Sequence, residues 1–416
     1  MKNEIFYQGS FGLERETLRV DKNGRLAQTP HPFTDKAITR DFCENQIEVV
    51  TPVSDSVHSA VCELEKLDRT VREELAKNGE KLWVYSNPPH IESESEIPVA
   101  QFSGSDKSKT EYRNLLQKRY GKRLMLFSGV HFNFSFSDEY LRSICDSGDF
   151  TDFKNRFYLR LYKQACVHSW LLLLLTASSP VYDKSFYKDG EKGGVRSEYS
   201  SIRNSRSGYW NSFVPVLDCS SLESFTQSIQ NYVDSGKLIS ECELYLPVRL
   251  KPRGENSLEN FRNGVSHIEL RMFDLDPGQP LGVNEKDLQF AHLLLMYLST
   301  LPDFDYTDKL QRQAVRDHQS AALSDLIGVE IGATGIIRKA EQIIDTMKWF
   351  YSDDKQALEL LEYERRKLYH RQCMQIRAKD IYQSSAGENT SRTPRIRSRR
   401  LRRYPNIAAC VLSVLR

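Results

Sequence analysis

The chain has 416 residues, 39% hydrophobic and 27% charged, the balance of a soluble globular protein with room for one large core or two. Lys and Arg total 58 against 56 Asp and Glu. The eight Arg and one Glu of residues 384–416 leave 50 basic and 55 acidic residues elsewhere, so any nucleic-acid reading rests on that tail alone. No apolar h-region opens the chain and its longest apolar run, WLLLLLTA from Trp170, is too short for a bilayer, so neither a secretory signal nor a membrane span is expected. Eight scattered Cys without a CxxC point to reduced thiols in the cytoplasm, not to disulfides or structural zinc.

Residues 11–20, FGLERETLRV, read as a strand, on which Glu14 and Glu16 point to the same side about 7 Å apart. The plain alternative is a solvated edge strand with Arg15 and Arg19 turned inward. Residues 46–50, QIEVV, alternate again and place Gln46 and Glu48 opposite Ile47 and Val49. Residues 57–78 carry Val57, Val61, Leu64, Val71 and Leu75 at helical spacing, with N-caps available at residues 54–56 and Gly79 as a stop. In residues 122–136, Val130, Phe132, Phe134 and Phe136 share one face, and His131, Asn133 and Ser135 share the other.

Helices are expected over 153–177, 284–301 and 355–380. Residues 243–251 alternate Leu244, Leu246, Val248 and Leu250 with Glu243, Tyr245, Arg249 and Lys251. Residues 265–273 oppose Ile268, Leu270 and Met272 to His267, Glu269 and Arg271. Strands mixed with segregated long helices predict an α+β domain with a largely antiparallel sheet. The tail from about Ser384 lacks periodicity, is rich in Ser and Arg, and reads as disordered.

If the five strands form one sheet, Glu14, Glu16, Glu48, His131, Tyr245, Glu269 and Arg271 converge. A dry face holds four carboxylates and one imidazole only with cations, and that donor set suits Mg²⁺ or Mn²⁺ better than zinc. Divalent ions beside an Arg are the equipment of phosphoryl transfer, here without a GxxxxGK[ST] loop. An antiparallel sheet with one wet face shows the same alternation.

The segments GLERETLRV, TDFCENQIEVVTPV, KRYGK, SGVHFNFSFS, SIRNSRSGY, ELYLPVRLKPR and IELRMFDLDP, in that order over roughly residues 10–300, resemble the glutamate–cysteine ligase family. The nearest likeness is to the ligase module of bifunctional glutathione-synthesising enzymes. The resemblance implies a glutamine-synthetase-like fold, an antiparallel sheet curled into a funnel, and ATP-dependent joining of the L-glutamate γ-carboxylate to the L-cysteine amine. It implies that Glu14, Glu16, Asp41, Glu48, His131 and Glu269 hold Mg²⁺. Arg271 would contact the transferring phosphoryl group and form the catalytic set with Glu14 and Glu269. It further implies that Arg203 binds a substrate carboxylate and that Phe42, Tyr120, Tyr209 and Tyr245 line the cysteine pocket. A surface salt bridge is the plain alternative for Arg203, and ordinary core packing for the tyrosines.

Residues 1–380 are expected to form the catalytic domain and 381–416 a separate basic tail. No ATP-grasp module follows, so this chain is not expected to make glutathione by itself. Two other readings stay open: a ligase of the same fold with another amine acceptor, and an inactive remnant binding nucleic acid or a partner through its Arg-rich tail. The oligomeric state is not legible.

Overall fold

The computed structural model describes residues 4–146 and 148–369. Strands β1 (Gly9–Val20), β2 (Ile38–Arg40), β3 (Gln46–Val50), β4 (Lys81–Leu82) and β5 (Gly129–Phe136) come first. A small hairpin of β6 (Val181–Asp183) and β7 (Gly194–Arg196) follows, then β8 (Val248–Pro252) and β9 (Val265–Asp274). Seven of them form one antiparallel sheet in the order β2-β3-β1-β5-β9-β8, with β4 also paired to β1. The expected α+β architecture is the one observed. β1 lies inside the sheet, paired on both sides, and is not an edge strand.

The helices are α1 (Val57–Lys77), α2 (Lys107–Tyr120), α3 (Asp138–Ser143), α4 (Phe150–Thr176), α5 (Leu222–Asp234), α6 (Glu285–Ser299), α7 (Asp308–Ala321) and α8 (Ile336–Phe350). A further helix covers 355–369. The end of the helix expected over 355–380, the tail and the boundary at 380 lie outside the described residues. Ser56 starts α1 by accepting a hydrogen bond from the Ser59 N–H, and Gly79 takes the positive φ (69°) that ends the turn after it. Asp149 caps α4 in the same way, and this is why α4 starts at Phe150, earlier than apolar spacing alone indicates.

One face of the sheet is apolar. Phe11 and Leu13 of β1, the four apolar residues of β5 and Ile268, Leu270 and Met272 of β9 share one core with α1, α4 and α6. Burying each such side chain fully stabilises the fold by about 1.5–3 kcal/mol. Arg15 and Arg19 point to this side too. Arg15 pairs with Asp68 of α1 at 2.6 Å and Arg19 with Glu80 at 2.8 Å, both in near-complete burial. The inward arginines of the plain reading are therefore real, and they accompany the paired glutamates on the opposite face.

Two strands are shorter than expected. The alternation over 243–251 becomes a strand only from Val248, because Ser240 caps a 3₁₀ turn at Glu241–Glu243 and Pro247 lacks a ladder donor. The stretch before Gly129 folds as a 3₁₀ turn at Leu124–Leu126. β9 carries one extra residue against β5: Val130 faces Phe273 and Phe132 faces Leu270, so His131 faces the bulged pair Arg271 and Met272. Among the described residues no helix is long and apolar enough to cross a membrane, and the six described cysteines are free thiols.

Candidate active site

The other face of the sheet is polar, and register builds it. Glu16 lies opposite Glu48 across β1–β3, Glu14 opposite His131 across β1–β5, and Asn133 opposite Glu269 across β5–β9. Register thus gathers four carboxylates, one imidazole and one amide across four neighbouring strands. Glu16, His131 and Glu269 are buried, and Glu14, Asp41, Glu48 and Arg271 are half-buried.

His131 is the centre. Its Nδ1 lies 3.1 Å from Glu14 Oε2 and 3.7 Å from Glu269 Oε1, and its Nε2 lies 3.6 Å from Glu16 Oε1. Asn133 donates to Glu14 Oε1 at 3.1 Å. Arg271 donates to Glu269 Oε1 at 3.1 Å, and Lys251 Nζ stands 3.6 Å from the same oxygen. One potential ligand atom each from Glu14, His131 and Glu269 falls within 4.8 Å of the others.

The electrostatics divide these acids into two groups. Burial pushes Glu269 up, but Lys251, Arg271 and His131 pull it well below the ordinary carboxylate range. Burial likewise opposes Glu14, and the hydrogen bond with His131 brings it down. In the second group the arginines nearby do not offset burial and the neighbouring acids. Glu16 is pushed up to about 8 by burial and by Asp41, and Glu48 well above its ordinary value by burial and by Asp41, Glu14 and Glu16. Asp41 rises through burial, which outweighs Arg113 and Arg271. Burial, then Arg271, lowers His131 to about 4, so the ring is neutral at pH 7 with a lone pair to give.

A divalent cation fits this donor set. Glu269 Oε2 and His131 Nε2 are buried with no hydrogen-bond partner, and Glu16, Glu48 and Asp41 lack the positive charge their burial calls for. Carboxylate oxygens with one imidazole are the ligands hard cations take.

Beside the acids stand the predicted binding residues. Arg203 is buried, with Nη2 donating to the Arg271 carbonyl at 2.6 Å, so no surface salt bridge occupies it. Its Nη1 reaches the Phe273 carbonyl at 3.4 Å, and the residue lines a cavity of about 30 Å³ with Tyr209, Trp210, Tyr245, Pro247 and Arg271. Phe42 and Tyr245 lie in one buried cluster, with Tyr120 and Tyr209 packed against it. The Tyr245 ring centre is 4.1 Å from Tyr209 and 5.6 Å from Tyr120. A larger open groove of about 670 Å³, between α4, α5 and the turn at 258–262, contains none of these residues.

All twelve predicted site residues therefore lie on or beside one face of the sheet. Alternation had also placed Asn133 and Lys251 on that face, without assigning them to the site. Arg113, which donates to the Asp41 carbonyl from α2, carried no pattern to reveal it.

The family model for glutamate–cysteine ligase matches residues 1–321. This chain belongs to the glutamate–cysteine ligase family. Among curated relatives, a glutathione biosynthesis bifunctional protein of Listeria welshimeri is 36% identical over 342 residues, covering 78% of this chain and 44% of the relative. One from Clostridium perfringens is 37% identical over 343 residues, covering 77% and 43%. The chain thus spans less than half the length of these two relatives. Among solved structures, a bifunctional glutathione synthetase from Pasteurella multocida superposes with a TM-score of 0.75 at 28% identity, covering 88% of this chain and 48% of that one. A glutamate–cysteine ligase from Francisella tularensis in complex with AMP gives 0.77 at 24%, covering 87% and 82%, a likeness of fold.

Proposed function

We propose that this glutamate–cysteine ligase family member joins the γ-carboxylate of L-glutamate to the amine of L-cysteine with cleavage of ATP to ADP, the first step of glutathione biosynthesis. The observation that carries the reading is the contact chain from Glu14 through His131 to Glu269 and Arg271, on the face that also holds Arg203 and the aromatic cluster.

A carboxylate is a poor electrophile. Its attack on the γ-phosphorus of ATP breaks the phosphoanhydride, releases ADP and gives γ-glutamyl phosphate. The cysteine amine then attacks that carbonyl, expels phosphate and gives up a proton. Negative charge grows on phosphoryl oxygens in both steps. Arg271, fixed by Glu269, supplies donors that meet it without reorganising. Arg203 binds and orients a substrate carboxylate from its seat against β9, whose Arg271 and Phe273 carbonyls it bonds. The aromatic cluster excludes water from the acyl phosphate and packs the small acceptor.

Glu14, Glu16, Asp41, Glu48, His131 and Glu269 would hold Mg²⁺, with Mn²⁺ as a substitute, and Asn133 would orient Glu14. When bound, these ions neutralise nucleotide phosphates and the charge of the transferring group. Residues 1–380 form the catalytic unit and 381–416 a separate tail, in a reducing, cytoplasmic setting that the free thiols fit.

The test is ADP release by the purified chain with ATP, Mg²⁺ and glutamate, with and without cysteine, beside Glu14→Gln. Cysteine-stimulated turnover that the variant loses is the expected result. Turnover only with other amines would reassign the acceptor. Absence of turnover and of nucleotide binding would remove the ligase reading.

A further inference from the structure

Glu243 is fully buried, yet it faces away from the acidic cavity. Its Oε1 accepts the Tyr120 hydroxyl at 2.5 Å and Arg119 Nη1 at 2.9 Å. Its Oε2 accepts the Ile239 N–H and, at 3.2 Å, Arg119 again. Asn211 completes the frame. Its Nδ2 donates to the Tyr120 oxygen at 3.2 Å and to the Glu243 carbonyl at 2.7 Å, and its Oδ1 accepts the Tyr245 N–H at 2.9 Å. Two side chains outside the aromatic cluster therefore fix the phenol of one member and the backbone of another.

Proton counting gives the frame a chemical sense. A carboxylate only accepts, so the single Tyr120 hydroxyl proton is committed to Glu243. Asn211 occupies one of the two lone pairs on that oxygen. What remains is one lone pair, an acceptor suited to an ammonium or amine N–H and unsuited to an anion or a carbonyl. Backbone anchoring at Tyr245 fixes the ring packed on Tyr209, and so the width of the space beside Arg203.

We infer that Glu243 and Asn211 are positioning residues that set acceptor selectivity, holding Tyr120 as a pure hydrogen-bond acceptor and Tyr245 at a fixed distance. This rests on the proposed ligase reading and adds two residues to it. Neither residue touches the reacting atoms, so their effect falls on recognition of the amine substrate and not on phosphoryl transfer.

The experiment compares wild type, Glu243→Gln and Asn211→Ser in steady state with cysteine and with 2-aminobutyrate, which lacks the thiol. Gln at 243 can present its amide N–H to Tyr120 and release the phenol proton. Ser at 211 removes the bond to the Tyr245 N–H. The expected result is a rise in the acceptor KM of about 10- to 100-fold, the scale of a misplaced contact. The preference between cysteine and 2-aminobutyrate should shrink, while KM for glutamate and ATP and the slow acceptor-independent, glutamate-dependent ADP release stay near wild type. An acceptor KM and preference unchanged in both variants would overturn the inference. So would a fall in kcat, or a rise in all three KM values together, in variants with wild-type thermal melting. If Asn211→Ser melts early, Glu243→Gln, which keeps the size and an acceptor oxygen, decides alone. A wild type that ligates no amine is a failure of the ligase reading itself, distinct from a wild type that ligates cysteine while both variants behave like it.

Discussion

Glu16 of β1 and Glu48 of β3 are direct cross-strand partners on the polar face of the sheet. Like charges in that relation destabilise a sheet, and here burial and Asp41 raise both further. Such a pair persists where a cation completes it.

Metal-free stability should therefore depend on pH in a particular direction. Glu16 moves from an ordinary 4.5 to about 8 on folding. Below pH 4.5 both states hold the proton and the group costs nothing. Between 4.5 and 8 the unfolded chain ionises first, so stability falls as pH rises. In EDTA, Tm should drop from pH 5 to pH 8, Glu16→Gln should flatten the slope, and Mg²⁺ should raise Tm more at pH 8 than at pH 5. An equal slope in the variant would detach Glu16 from the effect.

Arg271→Lys keeps the charge and loses the planar fork, one arm of which holds Glu269 and the rest of which is proposed to meet a phosphoryl group. The expectation is a fall in kcat of about 10²- to 10³-fold with little change in melting. Single-turnover ADP formation measures it, and an unchanged kcat would take Arg271 out of the phosphoryl step.

Gly129→Ala tests Arg203. A Cβ at residue 129 would stand 2.5 Å from the Arg203 Cζ, so the guanidinium must move. The expected outcome is a higher KM for the carboxylate substrate with the fold retained. Unchanged kinetics would mean that Arg203 does not bind substrate from this seat.

Arg19→Met leaves Glu80 buried without its cation and should cost about 3–5 kcal/mol in urea unfolding. Arg19→Met/Glu80→Gln should recover part of that loss. A double variant no better than the single one would place the cost in lost packing of the Arg19 stem.

Much of this was legible from alternation. A period of two on β1, β3, β5 and β9 sorted acids and histidine from the apolar core, because each strand packs helices on one side only. Family resemblance, not periodicity, supplied Asp41, Phe42, Tyr120, Arg203 and Tyr209, which stand outside the strands. Neither could show that Glu243, at an alternating position, leaves the sheet in a 3₁₀ turn to hold Tyr120. Nor could they show the β9 bulge, which depends on pairing between segments more than a hundred residues apart.

The ion pairs behind β1 make its alternation a lock. A slip of one residue would turn Arg15 and Arg19 into the carboxylate cavity and set Glu14 and Glu16 against Asp68 of α1 and Glu80 of the turn that follows it. Cation-poor acids would then meet one another on the far side, while guanidinium groups would take the places of Glu14 and Glu16. Misregistered folding is thus opposed by charge on both surfaces at once. The acids proposed to prepare the chemistry also proofread the strand that carries them.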